Sequence, residues 1–298
     1  MPFQVIQRDG SDQADIVISG TYSGFTPTAI EASFNGGAFA TIDAAPSGGT
    51  FSGTLSGQAA GQGTLIVRDT VQTEIRAQLT PFGIGDVFIG AGQSNMLGVG
   101  NLETYGGSLR VCAYDVDTGS WAALDTQRGC WLYVAEEHET AEGVPFGMAN
   151  VAVSATAIAS WEKGAGDDYY SRITDAYAAI GDAKAVLWQQ GEADALAGTA
   201  EATYNTALDG IANNLKADIG LDLMAAKIHN VSDRDETNVN TAINTAWGDN
   251  ANVLTGPDFS AYVADGDLHF TTQADHQKQA GYGAEVGWWD AMAATWYP

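Results

Sequence analysis

The sequence predicts an α/β protein, a parallel sheet covered by helices on both faces, preceded by a small all-β sandwich. Residues 1 to 80 break into short alternating strands separated by turn signals, as in a β-sandwich. After Pro81 the texture changes to apolar runs interleaved with stretches of helical spacing, and such alternation implies a parallel sheet between helical layers. At 298 residues the chain suits one large domain or a large and a small one, here 1–80 and 81–298.

In the first part, Asp15 to Tyr22 alternates and ends at a Gly/Pro/Thr-rich turn. Ile30–Phe34 and Ala38–Ile42 flank Asn35-Gly36-Gly37, a hairpin signal because asparagine and glycine tolerate positive φ. Thr50–Leu55, Gly63–Arg68 and Glu74–Leu79 continue the series. Their aromatics, Tyr22, Phe25, Phe34, Phe39 and Phe51, fall mostly on the core side of the alternation, which favours a packing unit over a sugar-binding module.

Beyond Pro81, Val87–Ala91, Met148–Val153, Ala185–Gln190 and Asp222–Ile228 read as strands. Tyr169–Ile180 and Ala200–Ile219 read as helices, the second with Tyr204, Leu208, Ile211, Leu215 and Ile219 on one stripe. A polar loop then leads to a helix around Val239–Trp247, and Gln273–Trp296 reads as a closing helix.

The formal charge of −25 argues against nucleic acid and anionic membranes as partners, and a neutral substrate suits that field best. No stretch approaches the roughly 18 uninterrupted apolar residues of a membrane span. The first residues lack the basic and apolar regions of a signal peptide. The two cysteines, Cys112 and Cys130, either pair or are both buried thiols. Neither has ligand company for a metal.

Chemistry concentrates at Gly92-Gln93-Ser94-Asn95-Met96, a tight turn directly after a buried strand. A serine there sits at the carboxyl edge of the sheet, where open α/β folds place their sites. It needs a base, and four histidines are available. His269, between Asp267 and a helical stretch, is the first choice and His229 the second, while His138 and His276 lie in polar stretches and are expected at the surface. At the end of the third strand, Gln190 is placed to aim its amide at a developing oxyanion, with Glu192 two residues on. The turn does not fit the Gly-x-Ser-x-Gly elbow of α/β-hydrolases, since Met96 replaces the second glycine.

Asp86 to Gly98 resembles the first block of SGNH-type carbohydrate esterases, nearest to the sialate O-acetylesterase-like group and to carbohydrate esterase family six, which includes acetyl xylan esterases. Trp188–Glu192 is similar to the Trp-x-Gln-Gly-Glu block of that group, Asp267–Phe270 to its carboxyl-terminal histidine block, and Val153–Trp161 to a segment that usually carries Gly-Gly-Thr. The resemblance covers residues 84 to 295 and implies a three-layer, flavodoxin-like SGNH-hydrolase domain.

It further implies Ser94 as nucleophile and His269 as base and then acid, with oxyanion donors from the Ser94 backbone, the backbone near Ala155 and the Gln190 side chain. Here Ser154-Ala155 replaces Gly-Gly, and Gly266 stands where an aspartate often precedes the histidine by three. The triad acid is therefore open between Glu192, Asp267 and Asp265, with Glu192 preferred.

The expectation is a metal-independent serine esterase that needs no cofactor and removes O-acetyl groups from a carbohydrate, acting outside a cell or on a particle. Two rivals stand beside it: a lipase or thioesterase on the same fold, and a non-catalytic glycan-binding or virion structural protein.

Overall fold

In the computed structural model, which describes residues 1–98, 111–124, 129–282 and 286–297, a mixed sheet runs through the chain with helices on both of its central faces. The amino-terminal strands are β1 (Val5–Gln7), β2 (Gln13–Thr21), β3 (Ile30–Phe34), β4 (Ala40–Asp43), β5 (Thr50–Ala59) and β6 (Gly61–Asp69). β3 and β4 form an antiparallel hairpin across Asn35 and Gly36, whose φ angles of 48° and 76° are the positive values the sequence called for. β2 pairs with β5 as a separate two-stranded sheet. It packs through Ile16, Ile18 and Leu55 onto Ala32, Phe34, Leu65, Phe82 and Ile84.

β7 (Arg76–Gly92) is one continuous strand where the sequence suggested two with a break at Pro81. The boundary expected at residue 80 thus falls inside a strand. Proline is tolerated because Thr80 and Pro81 together oppose one residue of β6, in a bulge between the Gly63–Phe82 and Leu65–Leu79 pairs. A residue without an N–H removes no ladder bond at such a point.

After β7 come α1 (Ser94–Leu97), β8 (Val111–Asp115), β9 (Ser120–Ala123), α2 (Trp131–Glu142), β10 (Phe146–Asn150), α3 (Tyr169–Ile180), β11 (Ala185–Gln189), α4 (Glu192–Ala197), α5 (Glu201–Ile219), β12 (Leu223–Lys227), α6 (Thr237–Asp249), β13 (Val253–Asp258), α7 (Gln273–Ala280) and α8 (Trp288–Trp296). The central order is β13-β12-β11-β7-β10-β8-β9, parallel except for the β8–β9 hairpin at the edge. Where one closing helix was expected, α7 stops at Gly281 (φ 89°) and α8 begins at Trp288; residues 283–285 lie outside the described set.

Alternation along the strands assigns the two faces. Val87, Ile89, Val186, Trp188 and Leu223 pack with Ile173, Leu208, Ile211 and Ile243 of α3, α5 and α6. Phe88, Leu187 and Met224 pack with Trp131, Val134, Trp288 and Met292 of α2 and α8. The stripe read on α5 faces inward, with Tyr204, Leu208, Ile211 and Leu215 buried. Cys112 and Cys130 are buried thiols and not disulfide-bonded; burial pushes the Cys112 thiol up to about 12.

The amino-terminal end of the central sheet is held by one carboxylate. Asp86, fully buried, accepts from Arg8 Nη2 (2.7 Å), Lys184 Nζ (2.9 Å), the Tyr297 hydroxyl (2.8 Å) and His138 Nε2 (2.9 Å). His138, expected at the surface, is buried among Phe146, Trp289 and Tyr297. The polar stretch around it is the outer face of α2, whereas its own side chain points to the sheet. Burial on its own would raise the Asp86 pKa, but hydrogen bonds from His138 and Arg8 and the charge of Lys184 outweigh it and hold the carboxyl well below its usual range.

A depressed carboxylate pKa adds stability above about pH 4, and that contribution is withdrawn as acid protonates the folded state. Replacing Asp86 by Ala leaves four donor partners, Arg8, Lys184, Tyr297 and His138, facing a void. We expect urea titration at pH 7 to register a loss of about 3–5 kcal/mol, with Asp86→Asn losing less because it keeps part of the network.

Candidate active site

The carboxyl ends of β7, β10 and β11 meet where the strand order reverses, on either side of β7. Gly92 makes the meeting possible. Its φ is 130°, and a Cβ there would lie 2.1 Å from the Gln189 carbonyl oxygen of β11. Only glycine permits both the angle and the approach. The chain then turns into α1, whose first residue is Ser94.

The Ser94 hydroxyl lies 2.9 Å from Nε2 of His269, so the two most distant residues named from sequence come together. His269 hangs from the loop after β13, whose backbone is clamped on both sides. The Asp267 carbonyl contacts His229 Nε2 (2.8 Å), the Leu268 carbonyl accepts from Asn95 Nδ2 (3.1 Å), the Phe270 N–H donates to Asn95 Oδ1 (3.3 Å), and the Phe270 carbonyl contacts His276 Nε2 (2.8 Å). Asp275, at the start of α7, accepts from Thr271, Thr272, Asp265 and Tyr262 and fixes the rest of the turn. His276 is therefore buried, not exposed as expected, because its ring supports this loop. His229, the second choice of base, is buried and tied to the same loop.

Of the three carboxylates named as triad acids, Asp267 is committed elsewhere: its two oxygens accept from the Ser232 N–H (2.9 Å) and hydroxyl (2.7 Å). Asp265 is exposed and accepts from the Thr272 hydroxyl. Glu192 is fully buried at the start of α4; its Oε1 accepts from Asn95 Nδ2 at 2.5 Å, and its Oε2 has no partner among the described residues. Its charge acts on His269. Burial lowers the imidazole pKa below its usual value, Glu192 pulls it up, and the nearby His229 and Arg234 lower it again, for a net decrease. The ring is therefore neutral at pH 7, ready to accept a proton. Arg234 also donates to the Glu192 carbonyl at 2.8 Å, bracing the turn.

Two backbone N–H groups, that of Ser94 itself and that of Ala155 in the loop after β10, have no acceptor among the described residues. Ala155 is held at φ 60°, a left-handed conformation that costs a non-glycine residue about 1–2 kcal/mol. Glycine in its place, as in the resembling blocks, would avoid that strain.

Gln190 does not serve as expected. It is fully buried, and its amide nitrogen already donates to the Thr156 carbonyl (2.8 Å) and Asp194 Oδ2 (2.6 Å), with Gln93 Oε1 at 3.3 Å. Two hydrogens cannot serve a further acceptor. Its oxygen accepts from the Tyr204 hydroxyl (2.9 Å), so the side chain ties the Ala155 loop, α4 and α5 together.

Gln93 and Asn95 were not singled out from the sequence. Gln93 Oε1 accepts from the Gly191 and Ala193 N–H groups (3.4 and 3.3 Å), which orients the amide and leaves Nε2 without an acceptor among the described residues. The signal was present: two carboxamides flanking a serine in a buried turn are polar groups that need partners.

A cleft of about 420 Å³ adjoins the loop after β10 and is lined by Leu97, Tyr114, Trp131, Ser154, Tyr169 and Arg172 among others. Neither Ser94 nor His269 is among its lining residues.

The sequence model of the family described as carbohydrate esterase, sialic acid-specific acetylesterase, matches residues 115–285. A carbohydrate acetylesterase from Xanthomonas citri superposes with a TM-score of 0.64 at 19% identity, over 94% of this chain and 72% of its own. A protein from Arabidopsis thaliana gives 0.55 at 22% identity, over 64% of this chain and 93% of its own. At these identities the likeness is one of fold. No curated protein matches the sequence significantly. The family match spans more than half of the 298 residues, and the chain belongs to this family of carbohydrate esterases: it is a carboxylic ester hydrolase.

Proposed function

We propose that the enzyme is a serine esterase that removes O-acetyl groups from a carbohydrate through an acyl-enzyme. The observation that carries this is the 2.9 Å contact between the Ser94 hydroxyl and His269 Nε2. His269 takes the Ser94 proton as Oγ attacks the acetyl carbonyl. The oxyanion is received by the Ser94 and Ala155 N–H groups, with Gln93 Nε2 as the available side-chain donor. The imidazolium then returns its proton to the departing sugar hydroxyl. Water repeats the cycle on the acetyl-serine, releasing acetate. Glu192 is the acid that stabilises the imidazolium, being buried and electrostatically coupled to it.

The cleft supports a sugar as leaving group, since Tyr114, Trp131 and Tyr169 line it. Arg172, which shares the lining with Asp115 and Asp117, favours a sugar with a carboxylate over a neutral one. Its Nε donates to the Val151 carbonyl (3.2 Å), and its terminal nitrogens donate to nothing among the described residues, leaving a fork that fits a carboxylate. An acetylated sialoside or uronate is thus preferred to acetylated xylan, against the neutral substrate that net charge alone suggested. Residues 1–80 are taken as an accessory packing layer, because Phe34 is core and Phe51 packs against it.

Three outcomes check this reading. Ser94→Ala should abolish acetate release, measured by mass spectrometry, while leaving the melting temperature within a few degrees; retained turnover ends the covalent mechanism. The acid limb of kcat/KM against pH should have its midpoint below about 6.5, because the net shift of His269 is downward and the protonated ring cannot act as base. Across acetylated xylans, mannans and sialosides, Arg172→Met should raise KM for the sialoside by about tenfold or more, the weight of one charge-assisted hydrogen bond; equal KM values on all three would remove the preference for an acidic sugar.

A further inference from the structure

We infer that Asn95 is a positioning residue that sets the geometry between nucleophile, base and acid. The inference rests on the assignment of Ser94 and His269 above. Asn95 is almost wholly buried and follows Ser94 directly in the chain. One face of its carboxamide, through Nδ2, reaches Glu192 Oε1 (2.5 Å) and the Leu268 carbonyl (3.1 Å); the other, through Oδ1, receives the Phe270 N–H (3.3 Å). Leu268 and Phe270 are the two neighbours of His269. A single side chain therefore grips the base on both sides while its own backbone is bonded to the serine. Gln279 Nε2 anchors the Asn95 carbonyl at 3.2 Å, so the grip has a fixed origin.

The chemistry requires an amide. Two donors are needed, one for a carboxylate and one for a carbonyl, and one acceptor for an N–H. Aspartate keeps the shape and the acceptor but loses both donors and sets a second carboxylate against Glu192. Alanine removes the grip altogether. Misplacing a reacting group by about 1 Å costs on the order of 100-fold in rate.

The groups facing His269 are Glu192 on α4, His229 after β12 and Arg234 in the following loop. None is altered in the test. Asn95→Ala and Asn95→Asp are compared with the parent enzyme for kcat, KM, melting temperature and the His269 titration followed by NMR. We expect kcat to fall by about 100-fold in each with KM within threefold, from the positional sensitivity above. The imidazole midpoint should rise in both: in Asn95→Ala because the loosened ring regains water, in Asn95→Asp because a carboxylate is added. Rates per folded molecule within threefold of the parent, or an imidazole midpoint that does not move, would overturn the role. Should Asn95→Ala fail to fold, the isosteric Asn95→Asp carries the same decision. The titration needs no turnover. An inactive parent enzyme therefore defeats the esterase reading, while an unmoved midpoint defeats this one.

Discussion

The approach of Gly92 to the Gln189 carbonyl is the constraint from which the site follows. It brings the ends of β7 and β11 closer than any side chain would allow, so the turn carrying Ser94 and the turn carrying Glu192 start from almost the same place. From there the carboxamides of Gln93 and Asn95 reach across: one to the amides at the start of α4, the other to Glu192 and the His269 loop. Ser94, His269 and Glu192 sit on short turns, yet each turn is bonded to its neighbours by buried polar side chains. Such networks pin geometry when every member is satisfied. Glu192 Oε2, His229 Nδ1 and Gln189 Nε2 are the exceptions here, buried without a partner among the described residues.

Stability and chemistry occupy opposite ends of the same strand. At one end of the central part of β7, Asp86 gathers Arg8, His138, Lys184 and Tyr297; at the other stands Ser94. Six residue-to-residue steps of extended chain lead from Asp86 to Gly92, about 20 Å at roughly 3.3 Å each. Two of the four histidines brace the loop of a third, and the last belongs to the Asp86 cluster.

Much of this was legible. Periodicity located α3 and α5 because their apolar stripes are long and their ends are marked by glycine, and it located the central strands because they are apolar on both faces. The serine and histidine were recoverable from their block contexts. Pro81 misled because a bulge that excuses a missing N–H depends on the opposing strand, which local sequence does not display. His138 and His276 misled because each is flanked by polar residues, so the inward direction of its own ring leaves little periodic trace. Gln190 misled for a subtler reason: its position was right, but whether an amide is free or committed depends on residues such as Thr156 and Asp194 that only the fold brings near.

One strand serves two sheets. β7 carries the antiparallel ladder of the amino-terminal layer on its first half and the parallel neighbours of Ser94 on its second. The amino-terminal layer is consequently no cassette. Exchange of that layer between relatives would need a crossover inside a hydrogen-bonded ladder, where register must be preserved to the residue. Lineages bearing this architecture should diversify their first layer by substitution and loop change, not by wholesale replacement.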